Sequence, residues 1–381
     1  MKRSHKSCIE AKAALKNAAS EPAASLPAGC RAVKQAAAER KGLGRSYMDN
    51  NGFNGIIGNE LIKDQLKSAI KNGSIRHSYM ITGEKGMGKK TMAEAFLLEL
   101  FCQESDESKR PCLRCPECKK ILSGNHPDVI YITHEKPGSI SVDEVREQLM
   151  DTVDIKPYSG DYKVYVMPEA DKMTVQAQNA ILKTLEEPPE YVIILLLVND
   201  DRKLLDTVRS RVIKESLRPL TDNVIRDYLK EKFDLSGDMT DICVAFSKGN
   251  LGRAIELCQS ETFSEWYQRV MKILKNLNSM DSTDMHIEIS KLLAECPDPT
   301  EALDLLEMWY RDLMMFMVTK NINNLVFKGE RKALMNAASL SSYDGVQDIM
   351  NGIEVCRQRL AANVNAELSL ELLLLRMKDN Q

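Results

Sequence analysis

A short strand, a glycine-rich turn and a helix in immediate succession constrain this chain more than any other feature. Ser78-Tyr79-Met80-Ile81-Thr82 reads as a buried strand. Gly83-Glu84-Lys85-Gly86-Met87-Gly88-Lys89-Lys90-Thr91 reads as a loop, and Thr91 to Phe101 as a helix. Strand, then G-x-x-x-x-G-K, then helix is the context that a phosphate-binding loop requires. Gly83, Gly86 and Gly88 let backbone N–H groups wrap a phosphate chain, and Lys89 reaches for the outer phosphates. The helix N-terminus adds positive potential.

The same loop lacks a ligand for magnesium. The residue after the lysine should be Ser or Thr, whose hydroxyl holds Mg²⁺, and here it is Lys90. Thr91 lies one place on, roughly 100° around the helix, so its hydroxyl points elsewhere. The strand YKVYVM ends at Pro168-Glu169, where P-loop ATPases place an Asp for the metal and a Glu for water. Pro168 offers no carboxylate. Two independent losses around one ion predict an abandoned hydrolysis site, although the glycines, Lys89 and Thr91 still permit weak, magnesium-independent nucleotide binding.

Strand and helix patterns alternate from Glu60 onward. ELIKDQLKSAIK sets Ile62, Leu66 and Ile70 on one helical face. DVIYI (128–132) is a strand, and SVDEVREQLMDT is a helix opened by a capping box from Ser141 to Glu144. Next come the strand YKVYVM, the helix TVQAQNAILKTLEE ended by Pro188-Pro189, and the strand YVIILLLV. That last run is the longest apolar stretch and is too short to span a bilayer. Strands buried on both faces between helices predict a parallel α/β sheet.

The strand signal disappears after about Pro219. DNVIRDYLKEKF, DMTDICVAF and GRAIELC read as three short helices, and helical patterns dominate from Glu261 to the end. A disordered extension at 1–47 and three domains follow: 48–219 the α/β domain, 220–260 a helical lid and 261–381 a second helical domain. The first 47 residues are rich in Ala, Lys and Arg without an apolar face, and translation is expected to begin at Met48. Met308, Met314, Met315 and Met317 fit either adaptable core packing or a subunit surface.

Cys102, Cys112, Cys115 and Cys118 form a C-x9-C-x2-C-x2-C cluster, while the other cysteines are scattered. Four thiolates at this spacing suit a tetrahedral structural zinc site, with an insertion at 102–118 stapled to the end of the P-loop helix. A net charge of -3, with no basic stripe interleaved with aromatics, weighs against a free-standing nucleic-acid binder.

The knuckle inserted after a P-loop helix, the run NAILKTLEEPPEYVIILLLVND and the sequence Arg209-Ser210-Arg211-Val212 resemble the bacterial AAA+ clamp-loader subunits of DNA polymerase III. The resemblance covers roughly Phe53 to Leu257, and the LKTLEEPP run (182–189) is its most specific part. It implies an AAA+ P-loop domain, an all-α lid and an all-α C-terminal collar that holds a hetero-pentamer together. Motor subunits of that family, gamma and tau, need an intact metal site, so the degenerate one resembles the delta-prime branch. Ser210-Arg211-Val212 stands where the family has Ser-Arg-Cys. Arg211, with Ser210 beside it, therefore resembles an arginine finger acting on a neighbour's ATP. Asn199 matches the first sensor position. Arg253 lies near the second, although Gly252 competes for that place.

The implied partners are gamma/tau and delta subunits, the sliding clamp and, through the complex, primer-template DNA, in a cytoplasmic replisome at the nucleoid. Implied cofactors are structural zinc and ATP at the degenerate loop, with its magnesium site lost. The alternative is an ATP-hydrolysing motor subunit or another AAA+ ATPase. A zinc-dependent nucleic-acid binder acting alone is the third class.

Overall fold

Seven consecutive buried residues, Val192–Val198 (VIILLLV), form the strand around which the α/β part is built. A strand apolar on both faces needs a neighbour on each edge and helices above and below. A computed structural model of the chain, describing residues 51–380 except 137, 236, 297 and 322–324, shows that arrangement. The expected extension at 1–47 and the start at Met48 lie outside the described residues. Asn51–Gln381 hold together as one unit.

The sheet contains β1 (Ser78–Thr82), β2 (Val129–Tyr131), β3 (Lys163–Met167), β4 (Val192–Val198) and β5 (Ile213–Ser216). Their order is β2-β3-β4-β1-β5, with every pair parallel. Strand β5 was not expected. Its sequence IKES is exposed apart from Glu215, and pairing with β1 is what makes it a strand. The helices of this part are α1 (Glu60–Lys71), α2 (Lys89–Phe101), α3 (Pro116–Ser123), α4 (Val142–Val145), α5 (Val175–Glu186) and α6 (Asp206–Arg209). Helix α4 opens with the expected capping box and passes into a π-turn at Arg146–Met150.

One core lies on each side of the sheet. Alternate residues of β3 and β4 face opposite ways: Val164, Val166, Ile193, Leu195 and Leu197 pack with α2 on one side. Tyr165, Met167, Ile194, Leu196 and Val198 pack with α5 on the other. Each fully buried side chain contributes at most about 1.5–3 kcal/mol. The first core explains why most of α2 beyond its first turn is buried and apolar, since β1, β4 and the knuckle cysteines pack on it.

Helices α7 (Asp222–Phe233), α8 (Asp238–Phe246) and α9 (Leu251–Gln259) follow the sheet, close to the three expected short helices. The remainder is helical: α10 (Glu261–Asn276), α11 (Ser282–Glu295), α12 (Pro299–Thr319), α13 (Arg331–Leu340), α14 (Tyr343–Ala361) and α15 (Ala366–Asp379). Trp266, Trp309, Tyr310 and Phe263 anchor its core, which also takes in Phe246 from α8. The methionines divide between the two expectations. Met308 is buried and Met314 and Met317 pack on the core, while Met315 is 44% exposed. No helix among the described residues is long and apolar enough to cross a membrane.

Candidate functional site

The phosphate loop sits at the C-terminal end of β1, where open parallel sheets bind ligands. Gly86 and Gly88 both have φ of +93°, a conformation that side chains rarely adopt. Lys89 opens α2 and folds back over the loop. Its Nζ donates to the carbonyls of Gly83 (2.7 Å) and Glu84 (2.9 Å) and to Asn199 Oδ1 (2.8 Å). Asn199, just past β4, is oriented by buried Asp171, which accepts from its backbone N–H (2.9 Å) and its Nδ2 (3.2 Å). Burial pulls the Lys89 ammonium below the usual lysine range, and Asp171, Glu169 and Glu84 partly offset that. Lys89 and Asn199, both singled out in the sequence, therefore meet. Asp171 was missed, although an acid three residues after Pro168 was its signal.

The metal side of the site is dispersed. Lys90 is exposed and leans along α2 toward Glu94 (3.9 Å). Glu169 follows Pro168 with φ of +51°, and its carboxylate is bonded to Lys172 Nζ (2.8 Å). His134 Nε2 lies 3.5 Å from the same carboxylate. The hydrogen bond from Lys172 is the main reason its pKa is lowered. A carboxylate held by two basic groups is a poor general base for a water.

Helix α9 packs its first turn directly on the loop. Asn250 Nδ2 donates to the Lys85 carbonyl (2.7 Å), and the Gly252 N–H donates to the Gly86 carbonyl (3.2 Å). A Cβ on Gly252 would stand 2.5 Å from Gly86 O, so only glycine permits this approach. Arg253 turns away, bonding Glu301 on α12 (2.9 Å) and lying 5.0 Å over the Phe246 ring. That assigns Arg253 to packing between α8, α9 and α12 rather than to the phosphate loop. Asn250 was also missed, its one signal being an asparagine placed as a helix N-cap.

The four cysteines converge. Their sulfurs all lie within 4.8 Å of one another, which fits thiolates around one tetrahedral ion. Backbone N–H groups of Cys112, Cys115 and Cys118 point at Sγ of Cys102, Cys112 and Cys115 at 3.3, 3.3 and 3.4 Å. Leu113 adopts φ of +57° to turn the chain between two of them. The Cys112 thiol is pulled down to about 6, first by the backbone N–H of Arg114, while burial raises Cys102 and Cys118. A cation shared by all four would let the two buried thiols ionise. The cluster can thus hold a metal ion, and its donor set suits zinc.

Arg211 lies at the other end of the sheet. Its carbonyl accepts from Ser78 Oγ (2.8 Å) at the start of β1, whereas the phosphate loop begins after Thr82 at the end. Four residues of strand separate the two by about 13 Å. The guanidinium Nε bonds Glu186 Oε1 (2.7 Å), and Nη1 bonds the Thr207 carbonyl (2.9 Å) and Ser210 Oγ (3.3 Å).

Residues 58–221 match the family described as DNA polymerase III, delta subunit. The chain is 28% identical over 318 residues to DNA polymerase III subunit delta' of Bacillus subtilis, covering 82% of this chain and 94% of that protein. It is 26% identical to subunit tau of the same organism over 72% of this chain and 52% of that protein. Against subunit tau/gamma of Haemophilus influenzae the identity is 37% over 177 residues, 46% of this chain and 25% of that protein. The chain therefore spans nearly all of the delta' relative but about half of the tau relative and a quarter of the tau/gamma relative. A solved gamma subunit-related protein from Thermotoga maritima overlaps it at 19% identity and a TM-score of 0.39, over 83% of this chain and 99% of that chain.

Proposed function

Since the chain belongs to the clamp-loader family of DNA polymerase III, we propose that it is a delta-prime-type subunit, a non-hydrolysing member of the loader that lends Arg211 to a neighbour's ATP site. In this reading 48–219 is the AAA+ module with its zinc knuckle at 102–118, 220–260 is the lid, and 261–381 is the collar. Its partners are gamma/tau and delta subunits, with the sliding clamp and primer-template DNA engaged by the assembly during cytoplasmic DNA replication. The observation that carries this is the position of Arg211, a strand's length from the chain's own phosphate loop. An arginine so placed serves another subunit or none.

Several features agree. Pro168 supplies no carboxylate and Glu169 is engaged by Lys172, so magnesium-dependent hydrolysis has neither ligand nor base here. Zinc at Cys102, Cys112, Cys115 and Cys118 supplies folding energy. Leu368, Leu372 and Leu375 form an exposed apolar stripe on α15, suited to packing in a ring. An arginine finger contributes around 10³–10⁵ in rate in related phosphoryl-transfer systems.

The test is reconstitution with the host's other loader subunits. Arg211→Ala should leave assembly intact and depress DNA-stimulated ATP hydrolysis by the neighbour; unchanged turnover would remove the trans role. The motor-subunit alternative is favoured by the higher identity to tau/gamma, 37% over 177 residues. It predicts ATP turnover by the isolated chain that Lys89→Ala abolishes, and the proposal here predicts none.

A further inference from the structure

We infer that Glu186 is a restraining partner for Arg211, holding the guanidinium until a neighbouring subunit's phosphates displace it. This rests on the reading of Arg211 as a trans-acting finger. Glu186 is the last residue of α5, where the helix macrodipole is negative and a carboxylate is unfavourable. Neither packing nor helix stability accounts for an acid there, since its side chain is half exposed. What it touches is Arg211. Both Nε (2.7 Å) and Nη2 (2.5 Å) face the single oxygen Oε1.

The rest of the finger is pinned as well. Nη1 is engaged by the Thr207 carbonyl and Ser210 Oγ, and Ser210 Oγ in turn donates to the Thr207 carbonyl at 3.2 Å. The backbone of Arg211 is tethered to Ser78 at the root of β1. A guanidinium has five N–H donors in a rigid fork, and little of the fork is left for a phosphate while this set is intact. To clamp a triphosphate, the side chain must leave Glu186 while its backbone stays fixed. A triphosphate carries several negative charges against the single charge of a carboxylate, so the exchange favours the nucleotide once a neighbour presents it. Until then the pair cancels the positive charge on the finger.

A restraint of this kind taxes the bound ground state and the transition state equally, so its removal changes KM and leaves kcat alone. The experiment is steady-state ATP hydrolysis by the reconstituted, DNA-stimulated loader containing wild-type, Glu186→Gln, Glu186→Asp or Arg211→Ala protein. Half-exposed ion pairs are weak, so Glu186→Gln should lower KM for ATP roughly two- to fivefold, equivalent to about 0.4–1 kcal/mol, with kcat within about twofold. Glu186→Asp, which keeps the charge, should move KM back toward the wild-type value. Unchanged KM in Glu186→Gln overturns the inference, and so does a fall in kcat at constant KM, which would make Glu186 an orienting group. If Arg211→Ala abolishes stimulation while Glu186→Gln does nothing, the finger reading stands and the restraint falls. Full turnover with Arg211→Ala removes the finger reading itself.

Discussion

Replacing Gly252 with alanine sets two physical effects against each other, and their balance tests whether α9 is seated on the phosphate loop. Helix propensity alone favours alanine over glycine by up to about 1 kcal/mol, less in a first turn. Packing opposes it. The new Cβ would lie 2.5 Å from Gly86 O, 2.9 Å from its Cα and 3.1 Å from its carbonyl carbon, against ordinary contact at 3.4 Å or more. All three are backbone atoms of a loop shaped by glycines, so no flexible side chain can yield. Either the loop and helix are forced apart by close to an ångström, or the strain remains. Separation loses the Gly252–Gly86 and Asn250–Lys85 hydrogen bonds, each worth about 0.5–1.5 kcal/mol net. Retained overpacking costs about 1–3 kcal/mol. After the propensity gain, a net loss of about 1–2 kcal/mol remains, which is a roughly 5- to 30-fold rise in local opening. Native-state hydrogen exchange of the amides in 251–259 and 83–89 reads it directly. Gly352→Ala is the control, because its Cβ meets first the Cδ of a flexible arginine, Arg376. If Gly252→Ala slows exchange across α9 as helix propensity alone dictates, the seating of α9 on the loop is wrong.

Chelation, or Cys115→Ser, should release the metal ion and raise exchange and protease sensitivity across 102–118, with a lowered melting temperature, since structural zinc contributes folding energy outright; metal content measured by atomic emission would fall in parallel. Asp128 offers a pH-dependent test. Burial would raise its carboxyl, but donors from Tyr158 N, Ser159 N and Ser159 Oγ hold it below the usual carboxylate range. A depressed folded pKa gives stability that is present above the unfolded value of about 3.9 and lost as pH falls through the folded value. Asp128→Asn should therefore lower the urea midpoint at neutral pH and flatten its decline below about pH 4; parallel acid profiles would exclude this role.

The parts of the protein encoded in contiguous sequence were legible without a structure. A phosphate loop is a strand, a run of glycines and a helix in order, and α2 begins at Lys89 as that order requires. The four thiols converge because their spacing leaves them little else to do. Capping at Ser141 and Glu144 is likewise a contract between residues three apart. Strand β5 was not legible, because its polar sequence carries no alternation and only the open edge of β1 gives its backbone partners.

What remained hidden depends on residues far apart in the chain. Asn250 meets Lys85 across 165 positions, and Asn199 reaches Lys89 across 110. Glu186 finds Arg211 across 25. Sequence by itself put Lys90 and Pro168 where a phosphate-loop ATPase carries its magnesium ligands, since that depends on which side chain stands at one position of a local motif. Tertiary structure decided what surrounds the loop: Asp171 orienting Asn199, α9 resting on the loop, and Arg211 held at the far end of β1. Local steric and hydrogen-bonding rules act over a few residues and can be read from spacing. Pairings closed by the sheet and the helices around it exist only once the chain has folded.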